Sequence, residues 1–307
     1  MMLIPRQNRI QKNLCLRANV VAAIRRHFKE SGFLEVETPC RIPTPIPEAH
    51  IDTEVSEDWF LHPSPELCMK RLLAAGFSRI YQICKCFRKN ERGARHLPEM
   101  TLLEWYATGI DYVGMMRQCE DLVTAVAGSL GLYQGIDYQE CSISLKPPWD
   151  RMTVRRAFET YAPVSLDNSI KKNTFDETMV SFIEPRLGFN KPVFLYDYPS
   201  QFGSLAKTKR QDPLTAERFE LYIAGIELCN AFTELNDSAE QRKRFEIENE
   251  ARRTLGKPAY PLPETFLNAL DRMPPAAGNA LGIDRLVMLF ANTACIDDVV
   301  AFTPEEL

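Results

Sequence analysis

At 307 residues, with 45% hydrophobic and 25% charged side chains, the chain has an ordinary globular composition and the length for one large domain or two. A net charge of −4 excludes a bulk electrostatic hold on nucleic acid, so any polyanion has to be met by a local cluster. No apolar stretch approaches spanning length and the start, M-M-L-I-P-R-Q-N-R-I-Q-K, has no continuous h-region, so a cytoplasmic protein without membrane contact is expected.

Taken in chain order, Asn19 to Gly32 predicts an amphipathic helix, with Val20, Ile24 and Phe28 at helical spacing and Gly32 as its stop. Phe33 to Val36 reads as a short strand ended by Thr38-Pro39, and the proline-rich 42–47 stretch as a surface loop. Ser64-Pro65-Glu66 fixes a hydroxyl and a carboxylate on a turn, where Ser64 has the ordinary explanation of an N-cap for L-C-M-K-R-L-L. Tyr81 to Phe87 and Leu102 to Tyr106 both look like strands of a long antiparallel hairpin. Its loop packs Arg88, Lys89, Arg92, Arg95 and His96 together, and the apolar run that follows is interrupted by Glu104.

Asp111 to Leu130 is helical in pattern, and about 133–190 reads as a helical insertion without recognisable chemistry. Lys191 to Tyr198 predicts a strand, Phe219 to Phe232 another, and Ser238 to Leu255 a charged helix. Gly278 to Asn292 reads as a glycine-bearing turn feeding an apolar helix. No internal repeat is visible.

Nine cysteines without framework spacing imply reduced thiols, many of them core residues. Cys84-Lys85-Cys86 is too short a pair for a zinc knuckle, and His27, His50, His62 and His96 lie far apart, so no transition-metal site is expected. Arg285 falls in the first turn of the last helix, where the dipole disfavours a cation unless something anionic repairs it. Gly278 and Gly282 would let a ligand approach the backbone. Glu227 and Glu234 are seven apart, so in a strand they cooperate only across a bend or bulge; converging, they would hold Mg²⁺ or a substrate ammonium. Singly, each of these has a bland reading: a solvated Arg, two unrelated surface acids, a cap, and core aromatics at Trp105 and Tyr106.

Their order is more specific. G-F-L-E-V-E-T-P to Pro39, Ser64-Pro-Glu66, Phe87-Arg88 with His96-x-Pro98-Glu99-x-Thr101 and L-E-W-Y to Tyr106, G-I-E-L-C-N-A-F-T-E-L from Gly225, and A-L-G-I-D-R to Arg285 together resemble the three-motif catalytic core of class II lysyl-tRNA synthetases, over nearly the whole chain. Within that family the chain is most similar to the stand-alone ligases that attach (R)-β-lysine to elongation factor P: motif 1 begins within the first forty residues, leaving no room for an anticodon-reading OB-fold, and Ala280 stands where the tRNA synthetases usually have Gly.

The resemblance implies an α+β fold, an antiparallel sheet flanked by helices in a single catalytic domain over 1–307, dimerising through motif 1 around Pro39. It implies ATP as substrate with Mg²⁺, an acyl-adenylate intermediate, elongation factor P as protein acceptor, and no tRNA. Arg88 would hold the α-phosphate, with Lys89, Asn90, His96, Met100, Leu228 and Gly282 about the nucleotide and Arg285 on adenine and the γ-phosphate. Glu227 and Glu234 would bind Mg²⁺, while Ser64, Glu66, Tyr106, Glu234 and Ala280 would hold the amino acid. Lys207, Lys209 and Arg210, with Lys171 and Lys172 behind them, are candidates for meeting an acidic acceptor. Three positions depart from the family pattern: Asn90 stands where motif 2 has Glu, which comes one later as Glu91; Leu97 replaces an ATP-contacting Asn; and Met100 replaces the Phe that stacks on adenine. They leave two other readings, a non-catalytic sensor of a lysine-like ligand and a ligase for another amino acid and carrier.

Overall fold

The computed structural model describes residues 5–307. Helix α1 (Arg6–Arg9) leads into α2 (Gln11–Glu30), which starts well before the predicted Asn19 because its first turns are polar and carry no apolar period. Val20, Ala23, Ile24 and Phe28 are its buried stripe, and Gly32, at φ +74, turns the chain away from the helix. Strand β1 (Leu34–Glu35) follows, then β2 (Arg41–Ile42), β3 (Val55–Ser56) and β4 (Trp59–Leu61), which form a small sheet of their own in the order β2-β4-β3. Beyond α3 (Glu66–Ala74) come β5 (Arg79–Phe87) and β6 (Glu99–Thr108), paired antiparallel as the sequence predicts, β5 longer at its start and β6 at both ends. Helix α4 (Tyr112–Ser129) is capped by Asp111, whose carboxylate accepts the Gly114 N–H at 2.8 Å.

The 133–190 stretch is helical only in its second half. Strands β7 (Gly135–Tyr138) and β8 (Cys141–Ser144) form a hairpin and β9 (Asp150–Thr153) joins the main sheet, before α5 (Val154–Tyr161), α6 (Leu166–Lys171) and α7 (Phe175–Thr178). The single strand expected from Phe219 to Phe232 is two: after β10 (Val193–Pro199), β11 (Thr215–Ile223) and β12 (Ile226–Thr233) meet in a hairpin. Ala224 and Gly225, both at positive φ, make the two-residue turn that suits strand twist. After α8 (Ser238–Thr254) and α9 (Glu264–Leu270), the expected turn around Gly278 is instead a central strand, β13 (Ala276–Gly282), feeding α10 (Ile283–Phe290).

The main sheet runs β1-β5-β6-β13-β12-β11-β10-β9, antiparallel through its six inner strands with a parallel strand at each edge. Period-two alternation along β6 divides the molecule. Leu103 and Trp105 point into the main core with residues of α2, α4 and α10, where Phe28 stacks on Tyr81 at 4.5 Å. Met100, Leu102, Glu104 and Tyr106 point the other way, into a cleft. Leu67, Leu73, Phe266 and Leu270 form a second core at one end of that cleft, together with Tyr106.

Candidate active site

The cleft is a cavity of about 960 Å³, at the upper end of the range for small-molecule sites. Arg88, Asn90, His96, Met100, Glu227, Leu228, Gly282 and Arg285 all line it, and so do Ser64, Glu66, Tyr106 and Ala280. Residues far apart in the chain thus share one hollow because β5–β6, β12 and β13 are neighbours in the sheet. Lys89 and Glu234 are not among its lining residues.

At the basic end, the Arg285 guanidinium donates to the Glu227 carbonyl at 2.8 Å and to its carboxylate at 3.2 Å, and to His96 Nε2 at 2.6 Å. A guanidinium has only donors, so His96 accepts through Nε2 and carries its proton on Nδ1. Desolvation, and then the Arg285 charge, push the imidazole below the usual histidine pKa, which keeps it neutral. Arg88 follows the last residue of β5; its N–H is fixed on the Pro98 carbonyl at 2.8 Å, and its one charge partner among the described residues, Glu91, is 3.8 Å away. Its Nε is buried with no hydrogen-bond partner among the described residues, an orphaned donor suited to an anion. Of the other loop cations, Arg92 is committed to Asp297 and Glu305, Arg95 donates to the Gly225 carbonyl, and Lys89 is exposed off the cleft. Lys89, expected about the nucleotide, thus stands outside the cleft lining. Leu97, buried in the main core, exchanges a polar contact for packing.

The expected bulge between Glu227 and Glu234 is present: Tyr222 pairs with Glu227 but Leu221 with Cys229, so Leu228 is the extra residue. It puts Glu227, Asn230 and Phe232 on the cleft face. The two carboxylates still do not share an ion. Glu234, with its side chain wholly buried, is paired with Lys70 at 2.5 Å beneath the cleft floor, and a strand of that span separates it from Glu227 by roughly 20 Å. The acids near Glu227 are Glu220, on the adjacent strand, and Glu184, neither singled out from the sequence. Burial and then its neighbours Glu220 and Glu227 push Glu184 up to about 7. Glu220 is likewise raised by burial, though Arg218 opposes the shift. Glu220 is paired with Arg218 at 2.5 Å and Glu227 with Arg285 at 3.2 Å, and three carboxyls grouped in this way are the oxygen donor set that a divalent cation takes.

The other end is built on a carboxylate inside an apolar strand. Glu104, on β6, accepts from Ser64 Oγ at 2.6 Å and from Tyr106 Oη at 2.9 Å. Ser64 accepts the Glu66 N–H at 3.0 Å rather than capping α3 in the usual way, since Pro65 holds the N-cap position. Burial, and then the neighbouring Glu66, push Glu104 up to about 8. Lys70, one turn into α3, lies between Glu66 and Glu234. Burial works against its ammonium, but the two carboxylates outweigh that and raise its pKa. Glu234 is thus paired with Lys70 through Oε2, while its buried Oε1 has no hydrogen-bond partner among the described residues and lies beside Gly278 of the cleft lining; Glu104 has no cationic partner among them. Gly278, on the adjacent strand, leaves space for this packing: a Cβ there would strike the Tyr106 ring and Glu234 Oε1.

A model of the tRNA synthetases class II (D, K and N) matches residues 1–306. The chain belongs to that family. It is 39% identical over 312 residues to the elongation factor P–(R)-β-lysine ligase of Hamiltonella defensa, covering 95% of each chain. It is 38% identical to the ligase of the same name from Edwardsiella ictaluri and 37% identical to that of Histophilus somni, each match covering 95% of this chain and 94% of the relative. By family and by relatives it is an ATP-dependent amino acid ligase. No helix among the described residues is long and apolar enough to cross a membrane.

Beside the cleft lies a group that sequence spacing had set aside. His62, at the end of β4, meets Cys84 and Cys86 of β5, their ligand atoms all within 4.8 Å of one another. The hydrogen bond from Cys86 pulls the Cys84 thiol down to about 6.

Proposed function

We propose that the chain activates (R)-β-lysine with ATP as an acyl-adenylate and transfers it to the ε-amine of a lysine on elongation factor P. The observation that carries this reading is the single cavity with Arg88, His96, Arg285 and Glu227 at one end and Ser64, Glu66, Glu104 and Tyr106 at the other. The activity for which the relatives are named supplies the amino acid and the acceptor.

The triphosphate lies along Arg88 and Arg285, with the unpartnered Arg88 Nε on the α-phosphate. Glu227 with Glu220 or Glu184 would hold Mg²⁺, which would supply positive charge beside the phosphates. The amino acid's ammonium pairs with Glu104 after that carboxyl gives up its proton, with Ser64 and Tyr106 fixing the carboxylate. The substrate carboxylate oxygen forms a bond to the α-phosphorus as the bond to pyrophosphate breaks, and Arg88 stabilises the charge that builds on the phosphoryl oxygens. The acceptor amine, with an unperturbed pKa of about 10.4, attacks the acyl carbon as the neutral base; AMP leaves and the amide nitrogen loses a proton. Docking of the acceptor falls to Lys207, Lys209 and Arg210, although Lys209 is already paired with Asp197 at 2.6 Å. A homodimer through motif 1 and work in the cytoplasm, where a translation factor is found, belong to the same reading.

ATP–pyrophosphate exchange with (R)-β-lysine, α-lysine and a panel of other amino acids tests it. Exchange strongest with (R)-β-lysine, followed by AMP release on adding elongation factor P, is expected. Exchange with none of them would establish a binding protein in place of a ligase.

A further inference from the structure

The trio at the edge of the cleft is assembled from two segments with no sequence link. The Cys84 and Cys86 side chains project from the same face of β5, and their sulfurs are 3.8 Å apart. Two thiolates bound to one zinc ion at about 2.3 Å and the tetrahedral angle are separated by about the same 3.8 Å. His62 Nε2 lies 4.0 Å from the Cys86 sulfur and 2.7 Å from the Lys85 carbonyl. Coordination through Nδ1 with the Nε2–H kept on that carbonyl is the arrangement usual for ligating histidines.

The sulfur–sulfur distance is not by itself diagnostic, since Cys119 and Cys229 approach to 3.7 Å as an ordinary buried pair. What sets the trio apart is the imidazole and a member that is not fully buried, Cys84, through which an ion can enter. A further thiol is close: the Cys40 carbonyl accepts the His62 N–H at 2.8 Å, and Cys40 is near enough to Cys84 to feel its charge.

We infer that His62, Cys84 and Cys86 form a binding site for a thiophilic divalent cation of the zinc type, set beside the catalytic cleft. Two sulfurs and one imidazole nitrogen are a donor set that favours zinc over Mg²⁺. The ion displaces the two thiol protons to solvent and leaves one coordination position open. Its place gives it a consequence for the ligase. His62 is two residues before Ser64, Cys86 is two before Arg88, and the Phe87 N–H already donates to the His62 carbonyl at 3.0 Å. A bound ion therefore clamps the loop that carries the amino-acid contacts onto the strand that carries the phosphate contact.

The test uses the full, reduced, metal-free chain and Co²⁺ as a spectroscopic probe. One equivalent should produce a thiolate-to-cobalt charge-transfer band, displaced by Zn²⁺. Cys84→Ser and Cys86→Ser should each remove the band and weaken Zn²⁺ binding by more than the ~10–100-fold cost of losing an outer-shell partner, whereas Cys15→Ser keeps both. Should either serine variant fail to fold, thiol alkylation of the wild-type chain with and without Zn²⁺ gives the same information: the ion should slow labelling of Cys84 and Cys86 but not of exposed Cys15. Absence of the band at one equivalent, its survival in both variants, or unchanged labelling would overturn the site. None of these readouts depends on ATP or amino acid, so they stand apart from the ligase assay.

Discussion

At the scale of single residues, Arg88 is the clearest catalytic assignment, because its guanidinium lines the cleft and lacks a partner at Nε. Arg88→Ala should lower exchange by roughly 10²–10³-fold, the usual loss for one donor aimed at developing charge. Its circular dichroism should not change, since the only ion pair lost is a long one to Glu91. Near-normal exchange would remove the assignment. Glu104 gives a pH prediction whose sign follows from its raised pKa of about 8. Below that pH the carboxyl is protonated in the empty site and must release its proton before it can pair with an ammonium. KM for the amino acid should thus fall by up to about tenfold per unit as pH rises from about 6, and level off above about 8. Glu104→Gln should show a high KM without that slope, and a flat wild-type profile would refute the pairing. Arg88, His96, Glu227, Arg285 and Tyr106 were legible because motif order marks them. Glu104 was visible only as an interruption in an apolar run, and nothing in the sequence reveals that Lys70 is paired with Glu234.

At the scale of elements, alternating residues made β5 and β6 readable, and their hairpin placed the basic loop correctly. Strands β11 and β12 merged in the sequence because both are buried and their turn, Ala224-Gly225, is apolar. That merger hid Glu220, the residue that the hairpin brings onto the strand beside Glu227. Strand β13 was hidden for the opposite reason: Ala276, Ala277, Gly278 and Ala280 are small and carry little strand propensity, yet central position makes small size necessary. Gly278→Ala tests that necessity. The added methyl meets Tyr106 and Glu234 on a packed floor, so a loss of about 1–3 kcal/mol in urea unfolding is expected, together with a raised KM for the amino acid. Unaltered stability would mean that the floor yields and that the glycine is not required for packing.

At the scale of the whole molecule, the sheet ends at β1, a two-residue strand whose both residues are exposed, and Leu34 is 50% accessible there. Val55 and Trp59 of the small sheet are also accessible, at 65% and 44%. A short exposed strand at the sheet edge is where a second copy of the chain would pair under the proposed reading. Motif 1 lies in this region, between α2 and Pro39, so a dimer formed here would rest against the strand, β5, that leads into Arg88. Light scattering should therefore give twice the chain mass for the wild-type protein. Leu34→Glu, which buries a charge on association but costs nothing in the isolated fold, should shift the population to monomer with unchanged far-ultraviolet circular dichroism. If β1 anchors β5 through the dimer, the monomeric variant should also lose exchange activity, whereas a fully active monomer would uncouple assembly from the site.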